Sequence, residues 1–222
     1  MDKNENEIKM HLHRISNTLI INGGYSGNPG LYAGDMGIVL FFYRYALFSQ
    51  NTIYSKYAFY LLEKTLSKLH QFTPLNYKQG LTGIGSTIEY LAQNGFIEIN
   101  TDDILKDFDK RIFFTYNLSY LPDDKIADIG YYVLWRMAGN SIQKDLIIKS
   151  VLPQIENVME VFRNYGRPQG CAPTSFDNSE LGMYNGLAGL GLSLITELDG
   201  DDSWLSLLPN DLYLHKNESL PV

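Results

Sequence analysis

The sequence predicts an all-α fold, an α/α toroid of helical hairpins reduced to about four, and three observations carry that prediction. A short Gly-rich pattern recurs as Gly34-Asp-Met-Gly37, Gly80-Leu-Thr-Gly83-Ile-Gly85 and Gly186-Leu-Ala-Gly189-Leu-Gly191. A worn further copy, Ile126-Ala-Asp-Ile-Gly130, aligns on Leu81 to Gly85, so the copies start at 34, 80, 125 and 186 and the first two intervals are 46 and 45 residues. An interval of about 40 to 47 residues fits one helical hairpin with its loops. Segments apolar on nearly every side alternate with segments apolar on one face, the pattern of inner helices wrapped by outer ones. The period-two alternation that marks strands is weak throughout.

Taken in order, Glu5 to Leu19 is amphipathic and opens the chain as an outer helix. Ile38 to Phe48 is the most apolar run. Interrupted by Arg44, it falls short of the about 20 residues a bilayer crossing needs and reads as a buried inner helix. Thr52 to His70 places Ile53, Tyr57, Tyr60, Leu61, Leu66 and Leu69 on one helical face. Ile88 to Ala92 belongs to the second inner helix, and Thr101-Asp-Asp caps and charges the start of a helix over Ile104 to Phe114. Tyr131 to Trp135 marks the third inner helix. Ser141 opens Ile142 to Arg163, which Pro153 bends or interrupts. The stretch Asn164 to Leu181 is long and rich in Gly, Pro, Ser and Asn, and a loop of that length is commonly functional. Leu190 to Leu198 is the fourth inner helix, followed by an apolar tail that Pro209 interrupts. Hairpin units bury their faces only against neighbours, so residues 1–222 are expected to form one domain. The open end of the array is expected to be covered by the N-terminal helix or by a second copy of the chain.

Composition narrows the function. With 45% hydrophobic residues in 222, the chain can bury a large core without staples. A formal net charge of -7 without a Lys/Arg cluster argues against nucleic acid as a partner, because phosphate binding needs a concentrated basic surface. The single cysteine, Cys171, excludes an internal disulfide and suits a reducing compartment. The N-terminus is polar and acidic where a secretory leader begins basic and turns apolar, so a cytoplasmic location is expected.

Glycines three apart at a helix start bring another backbone close, or they leave helix N-termini with free N–H groups pointing into a cavity that takes an anion. Both readings fit the pattern. The runs Gly30-Leu-Tyr-Ala-Gly-Asp-Met-Gly37, Gly80 to Leu91 and Gly182-Met-Tyr-Asn-Gly-Leu-Ala-Gly-Leu-Gly191 resemble the repeats of the lanthionine synthetase C family, a likeness spanning about residues 30 to 200. The resemblance implies an α/α toroid whose inner helices follow Gly-rich motifs. It also implies the chemistry of that family's cyclases, which add a peptide cysteine thiol to dehydroalanine or dehydrobutyrine and make the thioether rings of lanthipeptides. Those cyclases activate the thiolate with zinc held by two Cys and one His, a Cys-His pair directly preceding one motif. Here the corresponding places hold Tyr32-Ala33, Lys78-Gln79, Asp123-Asp124 and Tyr184-Asn185, none of them a thiol or imidazole. Cys171 lies in the long loop, while His11, His13, His70 and His215 fall in amphipathic or terminal segments. No metal ligand set and no cofactor is therefore expected, and the family resemblance points to a peptide-binding or accessory role without cyclase activity. The partners to expect are a peptide or a modifying enzyme, with room for a homo-oligomer.

Asp35 and Asp128 near inner-helix starts, with Glu89 inside one, are the candidates for an acid and base pair. Such a pair serves α/α-barrel glycoside hydrolases, whose carboxylates stand roughly 5 to 9.5 Å apart. The favoured reading is that Asp35 and Asp128 cap or complement helix N-termini while Glu89 pairs with a neighbour. Tyr32, Tyr77, Tyr131 and Tyr184, with Asn185, stand near the repeat starts and are the candidates for lining a peptide-binding mouth.

Overall fold

The computed structural model describes residues 3–25, 27–114, 121, 123–139, 144–156 and 175–208. Among them the protein is all-α, with no strand, and no helix is long and apolar enough to cross a membrane. The chain divides into two compact units, Met1–Thr73 with Lys78–Gly80 and Ala172–Trp204, and Pro74–Tyr77 with Leu81–Cys171 and Leu205–Val222.

The first unit holds α1 (Lys3–Asn22), α2 (Asp35–Ser49), α3 (Thr52–Ser67) and α7 (Leu187–Asp199). Every residue of α2 from Asp35 to Ala46 is buried, as a helix apolar all round must be, and it packs against α3 and α7. Only Gln50 and Asn51 separate α2 from α3. Gln50 takes the left-handed conformation, φ 53°, and its N–H returns to the Ala46 and Leu47 carbonyls. The Asn51 side chain accepts the Ile53 N–H at 3.0 Å and starts α3. The N-terminal helix α1 packs against α7, the last repeat, and buries Ile8, Leu12, Ile15 and Leu19. Past the end of α7, the Trp204 indole is buried and donates to Thr196 Oγ1 at 3.0 Å.

The second unit holds α4 (Leu81–Gln93), α5 (Thr101–Phe114) and α6 (Asp123–Ala138), with α4 packed on both others. α4 is buried from Leu81 to Leu91. The predicted start of α5 needs correction: the helix begins at Thr101, and the cap is Asn100, whose Oδ1 accepts the Asp102 N–H at 3.1 Å. Beyond α6 the expected long helix is broken. Lys144–Leu146 is one α-turn, Ile147–Val151 a π-turn and Leu152–Gln154 a 3-10 turn carrying Pro153, which supplies no N–H to an α-ladder. Ser141, Cys171, most of the 164–181 loop, Pro209 and His215 lie outside the described residues.

One interlock appears in both units. Gly191 of α7 admits the Phe41 ring of α2, and Gly85 of α4 admits the Tyr132 ring of α6; at either glycine a Cβ would collide with the ring. The two glycines share one offset within their copies, and Phe41 and Tyr132 share another. The worn copy thus keeps the packing position of its ring. Its helix starts earlier relative to the motif than in the other copies, because α6 begins at Asp123.

Candidate functional site

The three intact Gly motifs form the same loop-to-helix junction. In α2, Asp35 N–H donates to the Asn28 carbonyl at 2.9 Å and Met36 N–H to Gly30 at 3.3 Å. In α4, Leu81 and Thr82 donate to the Pro74 and Leu75 carbonyls at 2.9 and 3.3 Å. In α7, Leu187, Ala188 and Gly189 donate to Glu180, Leu181 and Gly182 at 2.9, 3.1 and 3.2 Å. The preceding loop therefore curls back over each helix start and satisfies N–H groups that a helix leaves unpaired. This corrects the anion-cavity reading of the glycines: these N–H groups are taken by the chain's own carbonyls. Glycine is required because the loop passes so close. A Cβ at Gly37 would stand 2.6 Å from the Leu31 carbonyl oxygen, and one at Gly186 would stand 2.7 Å from that of Glu180.

In the first unit the loops also join one another. Tyr184 N–H donates to the Tyr32 carbonyl at 3.0 Å, and Tyr32 N–H donates to the Lys78 carbonyl at 2.9 Å. All three residues stand two places before the first Gly of their motif. Their side chains consequently stack in a column. The Tyr32 and Tyr184 rings lie 4.9 Å apart and nearly parallel, at 8°, and Lys78 Nζ sits 5.7 Å from the centre of the Tyr32 ring. Tyr32 is buried within the column, Tyr184 is half-buried, and Lys78 and Asn185 are exposed. The Asn185 carbonyl accepts the Asp177 N–H at 2.7 Å. Asp177 Oδ1 receives the Ser179 hydroxyl and N–H, which hold its carboxyl below the usual range. The surface end of the column is therefore the half-buried Tyr184 ring with the Lys78 ammonium and the Asn185 carboxamide, groups suited to stacking on planar groups and hydrogen bonding to amides.

The remaining candidates do not join that strip. Tyr77 and Tyr131 are buried in the second unit, their rings 5.3 Å apart. Asp35, fully buried at the start of α2, pairs with Lys68 at 2.6 Å, and Lys68 also donates to the Gly24 carbonyl at 3.1 Å. Glu89 is buried against Arg136 at 2.6 Å. Asp128 lines a separate cleft of about 220 Å³ with Asn76, Lys125 and Ile129. Asp35 and Glu89 are each buried in an ion pair of the fold, Asp35 with Lys68 in the first unit and Glu89 with Arg136 in the second.

Two ionic centres were not legible as such in the sequence. Arg136 is fully buried on α6 and reaches Glu89, Asp102 and Asp109, the last two at 2.7 Å. Burial alone would lower the pKa of its guanidinium, but the bond to Asp109 and the surrounding negative charge raise it. The Tyr132 hydroxyl donates to Asp109 at 2.7 Å, and burial pushes its pKa well above the ordinary value. In the first unit, Arg44 is buried and pairs with Asp199 and Asp201. The one available signal was an arginine inside an otherwise apolar helix, which demands a partner. Among the described residues no group of three or more His, Cys, Asp and Glu side chains converges as a metal site requires.

In comparisons with family models, curated proteins and solved structures, the chain matched none at a significant level.

Proposed function

We propose that this chain is a peptide-binding accessory protein of the lanthionine synthetase C-like kind, arranged as a reduced toroid, acting in the cytoplasm on modified peptides without cyclising them. The observation that supports the reading is the column Lys78, Tyr32 and Tyr184, built by the loops of three copies of the repeat and flanked by Asn185. Ring faces and a carboxamide at a surface edge grip a peptide backbone and its unsaturated or aromatic side chains. The ion-paired states of Asp35 and Glu89 favour binding over acid–base chemistry.

The test is fluorescence anisotropy with two labelled Ser-, Thr- and Cys-rich peptides, one native and one dehydrated to dehydroalanine and dehydrobutyrine. The expected result is saturable binding of the dehydrated peptide, weakened about tenfold by Tyr184→Ala at unchanged melting temperature, a loss of about 1.4 kcal/mol. No saturable binding, or equal binding by the variant, removes the proposal. Loss of the peptide's free thiol on incubation, with thioether formation, would show that the protein is a cyclase after all.

A further inference from the structure

We propose that Asn185 is a site of self-modification: its carboxamide condenses with the Gly186 amide nitrogen to a cyclic imide, which water opens to aspartate and isoaspartate. The chain has three Asn-Gly pairs, Asn22-Gly23, Asn94-Gly95 and Asn185-Gly186, and all three asparagines are exposed. Asparagine is thermolabile, and a following glycine, having no Cβ, leaves the attacking nitrogen unshielded. By residue type the three pairs are equivalent. The fold separates them.

Two of the pairs end helices and are held there. Gly23 N–H donates to the Leu19 carbonyl at 2.7 Å, and Gly95 N–H to that of Ala92 at 3.1 Å. Their carboxamides are tied as well, Asn22 Nδ2 to the Thr18 carbonyl and Asn94 Nδ2 to the Tyr90 carbonyl, both at 2.9 Å. Cyclisation at either pair must first break both bonds. Asn185-Gly186 stands instead at the loop end before α7, with Gly186 extended at φ -99° and ψ -170°. Among the described residues, neither the Asn185 carboxamide nor the Gly186 N–H has a hydrogen-bond partner. Gly186 is buried, yet the group that reacts with it is the adjoining side chain, and that side chain is exposed to the water that opens the imide. The loop cannot dispense with this glycine, because a Cβ there would stand 2.7 Å from the Glu180 carbonyl oxygen. The residue before it varies between copies: the same place holds Ala33 before Gly34 and Gln79 before Gly80, neither of which closes a five-membered imide.

In the first step the Gly186 nitrogen gives its proton to solvent base and bonds to Asn185 Cγ, while the Cγ–Nδ2 bond breaks and ammonia leaves. Water then adds to one of the two imide carbonyls. Cleavage at Cγ restores the backbone and gives aspartate, whereas cleavage at the former backbone carbonyl carbon gives isoaspartate, with the chain rerouted through Cγ. Either product replaces the carboxamide next to Tyr184 with a carboxylate.

The full chain is incubated at mildly alkaline pH, natively and in denaturant, and conversion of each asparagine is followed by peptide mapping with mass spectrometry. In denaturant the three should convert at similar rates. In the native protein Asn185 should convert at least about tenfold faster than Asn22 and Asn94, which wait on local opening of their helix ends. Asn185→Gln, a change at an exposed side chain, should abolish the fast release of ammonia. Native conversion of Asn185 no faster than that of the other two, or fast ammonia release that persists in Asn185→Gln, overturns the proposal. The readout is covalent and does not depend on peptide binding.

Discussion

A methyl group added at Gly189 meets the Met183 carbonyl, whose carbon would stand 2.9 Å away, and that carbonyl belongs to the loop closing over the start of α7. Backbone cannot rotate aside as a side chain does, so Gly189→Ala is expected to cost about 1 to 3 kcal/mol by overpacking, read as a lower melting temperature. An unchanged melt would contradict the close approach that explains the motif. Arg136 poses the opposite problem, a cation that cannot be removed. Arg136→Met leaves Glu89, Asp102 and Asp109 without their counter-charge and should cost about 3 to 5 kcal/mol in chemical denaturation. Asp201 adds a pH signature. Burial raises its pKa, but the Ser203 N–H and hydroxyl and the Arg44 guanidinium outweigh that and hold it below the usual carboxylate value. A depressed folded pKa stabilises above the unfolded value, about 3.9, and the benefit is lost as pH falls through the folded one. Asp201→Asn should therefore destabilise at pH 7, and the difference from the parent should shrink steadily in melts taken below about pH 4. What the sequence disclosed at this scale was the glycine offsets and an arginine, Arg44, inside an apolar run. It hid the Arg136 cluster because its members come from three segments that only folding brings together.

Among the elements, the inner helices were the most legible, because a run such as Ile38 to Phe42 admits only burial. Ends were harder. Asn100 and Thr101 are adjacent and both suit a cap, and the choice falls to Asn100, whose side chain reaches the Asp102 N–H. Asn51 does the same for α3, and Asn51→Ala is expected to lower stability by about 1 kcal/mol, measured by thermal melting. The column of Lys78, Tyr32 and Tyr184 was half visible. Tyr77 was one of the four candidate rings, yet the loop ladder passes through Lys78, its neighbour, because register within the motif and not residue type decides which side chain joins the stack.

At the scale of the molecule, the repeat was visible in the spacing, whereas the division into two units was not, since the first unit joins Met1–Thr73 to Ala172–Trp204 across most of the second. α1 buries Leu12 and Leu19 completely, and it covers α7. Deleting residues 1–22 is expected to expose that apolar surface, giving aggregation or strong binding of a hydrophobic dye. A truncated protein that melts like the parent would show that α7 needs no such cover.

The ion pair between Arg44 and Asp201 joins residues 157 positions apart, and this separation also sets a timetable. On the ribosome, at about 5 to 20 residues per second, α2 emerges on the order of 10 to 30 s before the carboxylates that neutralise its guanidinium and the helix that receives Phe41. Most of the second unit is contiguous and is complete before then. The nascent first unit thus spends that interval with α2 able to pack on α3 but without α7, its other partner.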